Sequence, residues 1–155
     1  MRKLVALAVL GLLAVGCTST SSSKPSQPGS GDDGSFCSLL IAFRADTDTL
    51  DAEMDSGDPT RVKNAVARLE GQVDLLQQKS PAGIAADVAT VKEFVGRLQD
   101  YLAKYGYDIN AITANTTATE EFGQVAPEGL ESAQAQLEAY AVTTCGESVV
   151  TSTTI

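Results

Sequence analysis

From Phe36 onward, apolar residues recur in steps of four and three. Phe36, Leu40, Phe43, Leu50 and Met54 form a first row, with Thr47 as a polar member. Val62, Val66, Leu69, Val73 and Leu76 form a second, and Ile84, Val88, Val91, Val95, Leu98, Leu102 and Tyr105 a third. One apolar stripe per row, with polar residues between, is the signature of an amphipathic helix packed on a core. A fourth helix is expected from about Pro127 to Cys145, with Leu130, Ala133, Leu137, Tyr140, Ala141 and Thr144 facing inward. Its small residues favour close backbone approach and offer little side-chain area.

The boundaries between rows carry helix-stop and helix-start chemistry. Gly57 suits the end of the first helix, and Asp58 followed by Pro59 suits the start of the second. Ser80 with Pro81 repeats that arrangement for the third, which Gly106 closes. Four helices joined by two short turns and one longer connection predict an all-α fold, an up-down-up-down four-helix bundle spanning 35–146. The longer connection, 107–126, lies between the third and fourth helices, and "TATEEF" within it predicts a short helix opened by a capping box of Thr117 and Glu120. The final residues, 147–155, show no periodicity and read as a flexible tail.

The first 34 residues follow a different rule. "MRKLVALAVLGLLAVGC" opens with Arg2 and Lys3 and continues with an apolar run from Leu4 to Val15. Twelve helical residues rise about 18 Å, short of the roughly 30 Å hydrocarbon core, so residues 1–16 read as a signal peptide. The small residues Ala14, Val15 and Gly16 lead directly into Cys17. This resembles the lipobox of bacterial lipoproteins, with Ala14 where leucine is commonest, and the chain as a whole resembles the small exported lipoproteins of high-GC Gram-positive bacteria. The resemblance implies cleavage before Cys17, lipidation of its thiol, and attachment to the outer face of the cell membrane. Two or three acyl chains give stable anchoring without a membrane span. Residues 18–34 are dominated by Ser, Thr, Gly, Pro and Asp and cannot offset their ordering entropy by burial, so they read as a disordered tether.

With Cys17 lipidated, two cysteines remain, Cys37 and Cys145, one at each edge of the helical region. Outside the cytoplasm such a pair is expected to form a disulfide. An up-down-up-down order supports this independently, because it brings the start of the first helix and the end of the fourth to the same end.

Composition narrows the function further. The chain has 20 acidic and 11 basic residues, and loss of Arg2 and Lys3 with the leader takes its net charge from −9 to −11. Such a polyanion is repelled by phosphate backbones, and no basic patch offsets this, so no nucleic-acid partner is expected. Histidine is absent, which removes imidazole-based metal sites and every Ser/His or Cys/His nucleophile. No cofactor and no catalytic residue are assigned.

The remaining candidates cluster at the end opposite the cysteines. Tyr101 and Tyr105 lie one helical turn apart, and Tyr107 and Asn110 follow in the connection. Tyrosines combine an apolar body with a polar tip and can line a ligand pocket; a phenolate can also ligate haem iron. Ile109, Ile112, Phe122 and Val125 can equally serve as a cover for the core. The stretch "RADTDTLDAEMDSGD" begins like a calcium loop but has Leu50, Asp51 and Gly57 at positions that need an oxygen ligand, a glycine and a bidentate glutamate. As a helix, it places Asp48, Asp51 and Asp55 on one solvent-facing side. The function these features favour is a lipid-anchored binding or interaction module whose partner is a small ligand or an envelope protein. A purely structural envelope lipoprotein and a carboxylate-dependent hydrolase are the alternatives.

Overall fold

The structure is a computed structural model that describes the backbone of residues 33–146 and side chains from Phe36 onward. The signal peptide, Cys17 and residues 18–32 lie outside the described residues, as does the tail from 147. Among the described residues there is no strand, and the chain forms a helical bundle of six helices. These are α1 (Asp33–Ser56), α2 (Pro59–Lys79), α3 (Ala85–Lys104), α4 (Ile109–Thr113), α5 (Thr116–Phe122) and α6 (Leu130–Thr143). The first helix starts at Asp33, two residues inside the segment expected as tether. No helix among the described residues is long and apolar enough to cross a membrane.

Packing follows the apolar stripes. α1 packs on α2, α2 on α3, and α3 on α6, while α4 and α5 pack on each other. Every member of the second apolar row is buried, as is the third row from Ile84 to Leu102. In the first row Phe36, Leu40 and Leu50 are buried, and Phe43 and Met54 flank the core half-buried. Ion pairs fix the direction of the α1–α2 hairpin: Arg61 lies 2.6 Å from Glu53 near the turn, and Arg68 lies 3.6 Å from Asp46 farther along. Lys92 bridges α3 to α2 through Asp74 at 2.8 Å and Gln77 at 2.7 Å. Exposed pairs of this kind add little stability, on the order of 0–1 kcal/mol each, and the buried stripes carry the fold.

The first turn obeys the chemistry read from its residues. Gly57 adopts a left-handed conformation, φ 69°. The Asp58 carboxylate then accepts from the amides of Thr60 at 2.9 Å and Arg61 at 3.2 Å. These are amides that a helix start otherwise leaves unpaired.

Three further boundaries differ from expectation. Ser80 does not cap α3; it ends α2, its hydroxyl donating to the Gln77 carbonyl at 3.0 Å. A turn at 82–84 intervenes, in which the Ile84 amide donates to the Pro81 carbonyl at 3.0 Å, and α3 starts without a side-chain cap. Thr117 does not open the short helix either. The Asn115 side chain accepts from the Ala118 amide at 3.2 Å and begins α5 two residues earlier. Last, α6 begins at Leu130 and not near Pro127, because Gly129 at φ 81° turns the chain first. On α6, Leu130, Ala133, Leu137 and Ala141 are buried, Tyr140 is half-buried and Thr144 is exposed.

The two ends of the bundle are built differently. At one end Cys37 and Cys145 are joined, with α-carbons 5.5 Å apart. Beside them the Phe36 and Tyr140 rings meet edge to face, centroids 5.5 Å apart. Phe36 is fully buried. At the other end, beyond the Gly57 turn and the C-terminus of α3, α4 and α5 form a cap.

Candidate functional site

The cap begins where α3 stops. The Gly106 amide donates to the Ala103 carbonyl at 3.0 Å and the Tyr107 amide to the Leu102 carbonyl at 2.7 Å. These are the paired bonds of a Schellman ending. Gly106 and Tyr107 both take left-handed conformations, φ 62° and 61°. For Gly106 this costs little, whereas for a tyrosine it costs on the order of 1–2 kcal/mol. Asp108 then opens α4, its carboxylate accepting from the Ala111 amide at 3.0 Å.

Tyr101 and Tyr105 fasten this cap to α3. The buried Tyr101 hydroxyl donates to the Ala118 carbonyl in α5 at 2.8 Å. Its ring lies 5.2 Å from that of Tyr105 and 5.4 Å from that of Phe122. One turn on, the Tyr105 hydroxyl and the Lys104 ammonium donate to the same Glu121 oxygen, at 2.8 Å and 2.6 Å. The bond from Lys104, then that from Tyr105, holds the Glu121 carboxyl below its ordinary range. The bond to Glu121 pushes the Tyr105 phenol up, and burial does the same for Tyr101. Both rings are therefore neutral phenols at neutral pH. Tyr101 would have to lose its proton and its bond to Ala118 before it could bind iron, so its geometry does not suit a haem ligand.

Beneath the cap is a cavity of about 140 Å³. Met54, Tyr101, Ile109, Ile112, Thr119 and Phe122 are among its walls. The hydroxyls around it are committed to backbone carbonyls: Tyr101 to Ala118, Thr113 to Asn110 at 3.1 Å, and Thr119 to Asn115 at 3.1 Å. The cavity therefore presents hydrocarbon to whatever enters. Phe122, 38% exposed, is part of its rim, and a large apolar ring left in water at the edge of a hollow is unusual for a simple core cover.

The four residues singled out in the sequence stand in four different places. Tyr101 lines the cavity, and Tyr105 stands outside it on Glu121. Asn110 leans over the α1–α2 turn, its amide nitrogen 2.8 Å from where a β-carbon on Gly57 would stand. Tyr107 lines a separate open groove of about 500 Å³ with Pro59, Thr60, Lys63, Asn64 and Gly106. Sequence reasoning did not select Met54 or Thr119 as walls. Met54 had been assigned only to a core row, and only the folded cap brings it opposite Ile109 and Ile112.

Asp48, Asp51 and Asp55 are exposed on the last turns of α1. Loss of hydration, then repulsion from Asp48 and Asp55, pushes the Asp51 carboxyl up, although the residue as a whole stays exposed. The Arg61 guanidinium at the start of α2 is held by Glu53 and not by these aspartates. Among the described residues, no three His, Cys, Asp or Glu side chains converge in a way that would hold a metal ion.

The chain matches no protein-family model, and neither a curated protein nor a solved structure is detectably similar to it.

Proposed function

We propose that this protein is a lipid-anchored interaction module of the bacterial cell envelope. Residues 1–16 export it, an acylated Cys17 moors it to the outer face of the membrane, and residues 18–32 hold it away from the lipid. The long helices α1, α2, α3 and α6 form an up-down-up-down bundle, so that the chain enters at the disulfide end and the cap end is presented outward. The cap end receives an apolar group of a small ligand or of an envelope protein.

The observation that carries this reading is the hydrocarbon-walled cavity under α4 and α5. Its volume is close to the roughly 150 Å³ of an apolar cavity able to hold benzene, and well under the roughly 300–1,000 Å³ of a pocket that encloses a whole drug-sized ligand. It therefore suits one ring or one branched alkyl end as an anchor. Anchors of this size in desolvated pockets dominate the energetics of many interfaces.

The test is native mass spectrometry of the Cys17→Ser chain purified gently from its host, followed by thermal melting with the recovered compounds. A retained small molecule or protein that raises the melting temperature is the expected result. A clean apo spectrum, with no melting shift from any apolar fraction of the host extract, argues for a purely structural lipoprotein instead.

A further inference from the structure

The open groove between the first turns of α2 and the Gly106–Tyr107 turn lies outside the cavity and is built from different chemistry. One wall is the Tyr107 ring, with the Lys63 ammonium 5.9 Å from its centroid. The other carries Pro59, Thr60 and Asn64. Lys63, Thr60 and Asn64 are all exposed. Among the described residues, no carboxylate pairs with Lys63, and the Thr60 hydroxyl and Asn64 amide have no hydrogen-bond partner. Neighbouring polar groups are already committed. Arg61 is bound to Glu53, and Asp58 and Asp108 are spent as helix caps. Three exposed polar groups of different kinds, none of them in an ion pair or side-chain hydrogen bond, thus stand in an open groove beside the Tyr107 ring, over which the Lys63 ammonium lies.

We propose that this groove is a binding site for an acidic sugar, a pyranose ring bearing a carboxylate. Each wall element matches one part of such a ligand. The Tyr107 face takes the apolar C–H face of the ring, Asn64 and Thr60 exchange hydrogen bonds with ring hydroxyls, and Lys63 pairs with the carboxylate. On a chain this acidic, an anion is held only where a cation is left unpaired, and Lys63 is such a cation. A neutral sugar leaves the ammonium unused, and a flat aromatic acid leaves the amide and hydroxyl unused, so the full set selects the ligand that has both. Tyr107 holds its ring in place from a left-handed backbone position where glycine would be less strained.

The experiment is an NMR titration of the ¹⁵N-labelled full chain in neutral detergent micelles, with D-glucuronate, D-glucose and benzoate as separate probes. Glucuronate is expected to shift the amides of 60–64 and 106–107 saturably, and glucose and benzoate to bind about tenfold more weakly or not at all. Lys63→Gln should reduce glucuronate binding to the level of glucose. Tyr107→Gly removes the ring at a backbone position suited to glycine, so it should keep the fold's amide spectrum and lose binding of all three probes. Absence of a saturable glucuronate shift in the wild-type chain, equal binding of benzoate and glucuronate, or unchanged glucuronate binding in either variant would overturn the proposal. None of these results depends on occupancy of the cavity beneath the cap.

Discussion

The disulfide end and the cap end of this bundle spend their residues in opposite ways. At the disulfide end Phe36 is fully buried, its ring meets Tyr140, and a covalent bond joins chain positions 108 residues apart. At the cap end a cavity is left open, Phe122 faces water at its rim, Tyr107 is held left-handed, and three aspartates crowd the last turns of α1. Each of those four features is expected to cost some stability relative to an alternative residue. Where local preference and fold disagree in several ways at one place, function is the usual reason. One end is closed by a covalent bond and a buried ring pair, and the other keeps a cavity, an exposed ring and a strained backbone position.

The largest effects should come from attacking the disulfide end. Phe36→Ala is expected to cost about 3–5 kcal/mol, since it removes a buried ring and its edge-to-face partner contact. Ile112→Ala, beside space that is already empty, should fall near the lower limit of about 2 kcal/mol for such truncations. Urea denaturation of both variants checks the ranking, and a reversed order would break the comparison. Next in size is the covalent link. Replacing Cys37 and Cys145 with alanine together should cost about 2–4 kcal/mol, because the unfolded chain regains the freedom of a loop of roughly 100 residues. The same loss should appear as a reductant-dependent fall in melting temperature of the unaltered chain.

Changes at the cap should be smaller and local. Tyr101→Phe removes the bond to the Ala118 carbonyl and is expected to cost about 0.5–1.5 kcal/mol. Amide hydrogen exchange should show the change concentrated in α5, with α1 to α3 little altered. The Lys104–Glu121–Tyr105 cluster adds a pH dependence of known sign. The Glu121 carboxyl is held below its ordinary value of 4.5 in the folded chain. Its contribution is present above that value and is lost as pH falls through the depressed folded one. As pH falls, the exchange protection factors of the α5 amides should therefore drop before those of the bundle helices, and Glu121→Gln should remove the difference.

Much of the bundle was legible in the letters because periodicity is a local signal. The rows Val62–Leu76 and Ile84–Leu102 are buried as their spacing requires, and the Gly57–Asp58–Pro59 sequence makes the turn its chemistry dictates. Two of the misread boundaries had a common cause: two residues competed for one role. Asn115 precedes Thr117 and accepts from the Ala118 amide of α5, and Gly129 turns the chain between Pro127 and the first residue of α6. The candidate site was less legible. The letters pointed to the end that holds the cavity and to Tyr101, but the cavity joins Met54 to residues from 101 to 122, a juxtaposition set by tertiary packing. Nothing in the sequence indicated that the tyrosine hydroxyls would be spent on Ala118 and Glu121, or that Tyr107 would leave the group and face Lys63.

The smallest expected effect is a gain, and it bears most directly on the idea that the cap end gives up stability. Asp51 sits three residues after Asp48 and four before Asp55, so both neighbours share its side of α1. All three lie toward the C-terminus of the helix, where the macrodipole favours cations. Loss of hydration and those two neighbours push the Asp51 carboxyl above its ordinary 3.8, which means that the folded chain disfavours the charged form. The resulting cost is present at neutral pH and disappears as pH falls through the raised folded value, the reverse of Glu121. Asp51→Asn removes the charge and keeps the size, and should stabilise the chain by about 0.3–0.5 kcal/mol at low ionic strength, a figure kept small because the group is exposed and screened. The gain should shrink as salt is added and vanish in acid. Chemical denaturation at neutral and acidic pH, each in low and high salt, checks all four corners. If the neutral, low-salt gain is absent, the aspartates belong to an ordinary solvated face and leave the list of features that set the two ends apart.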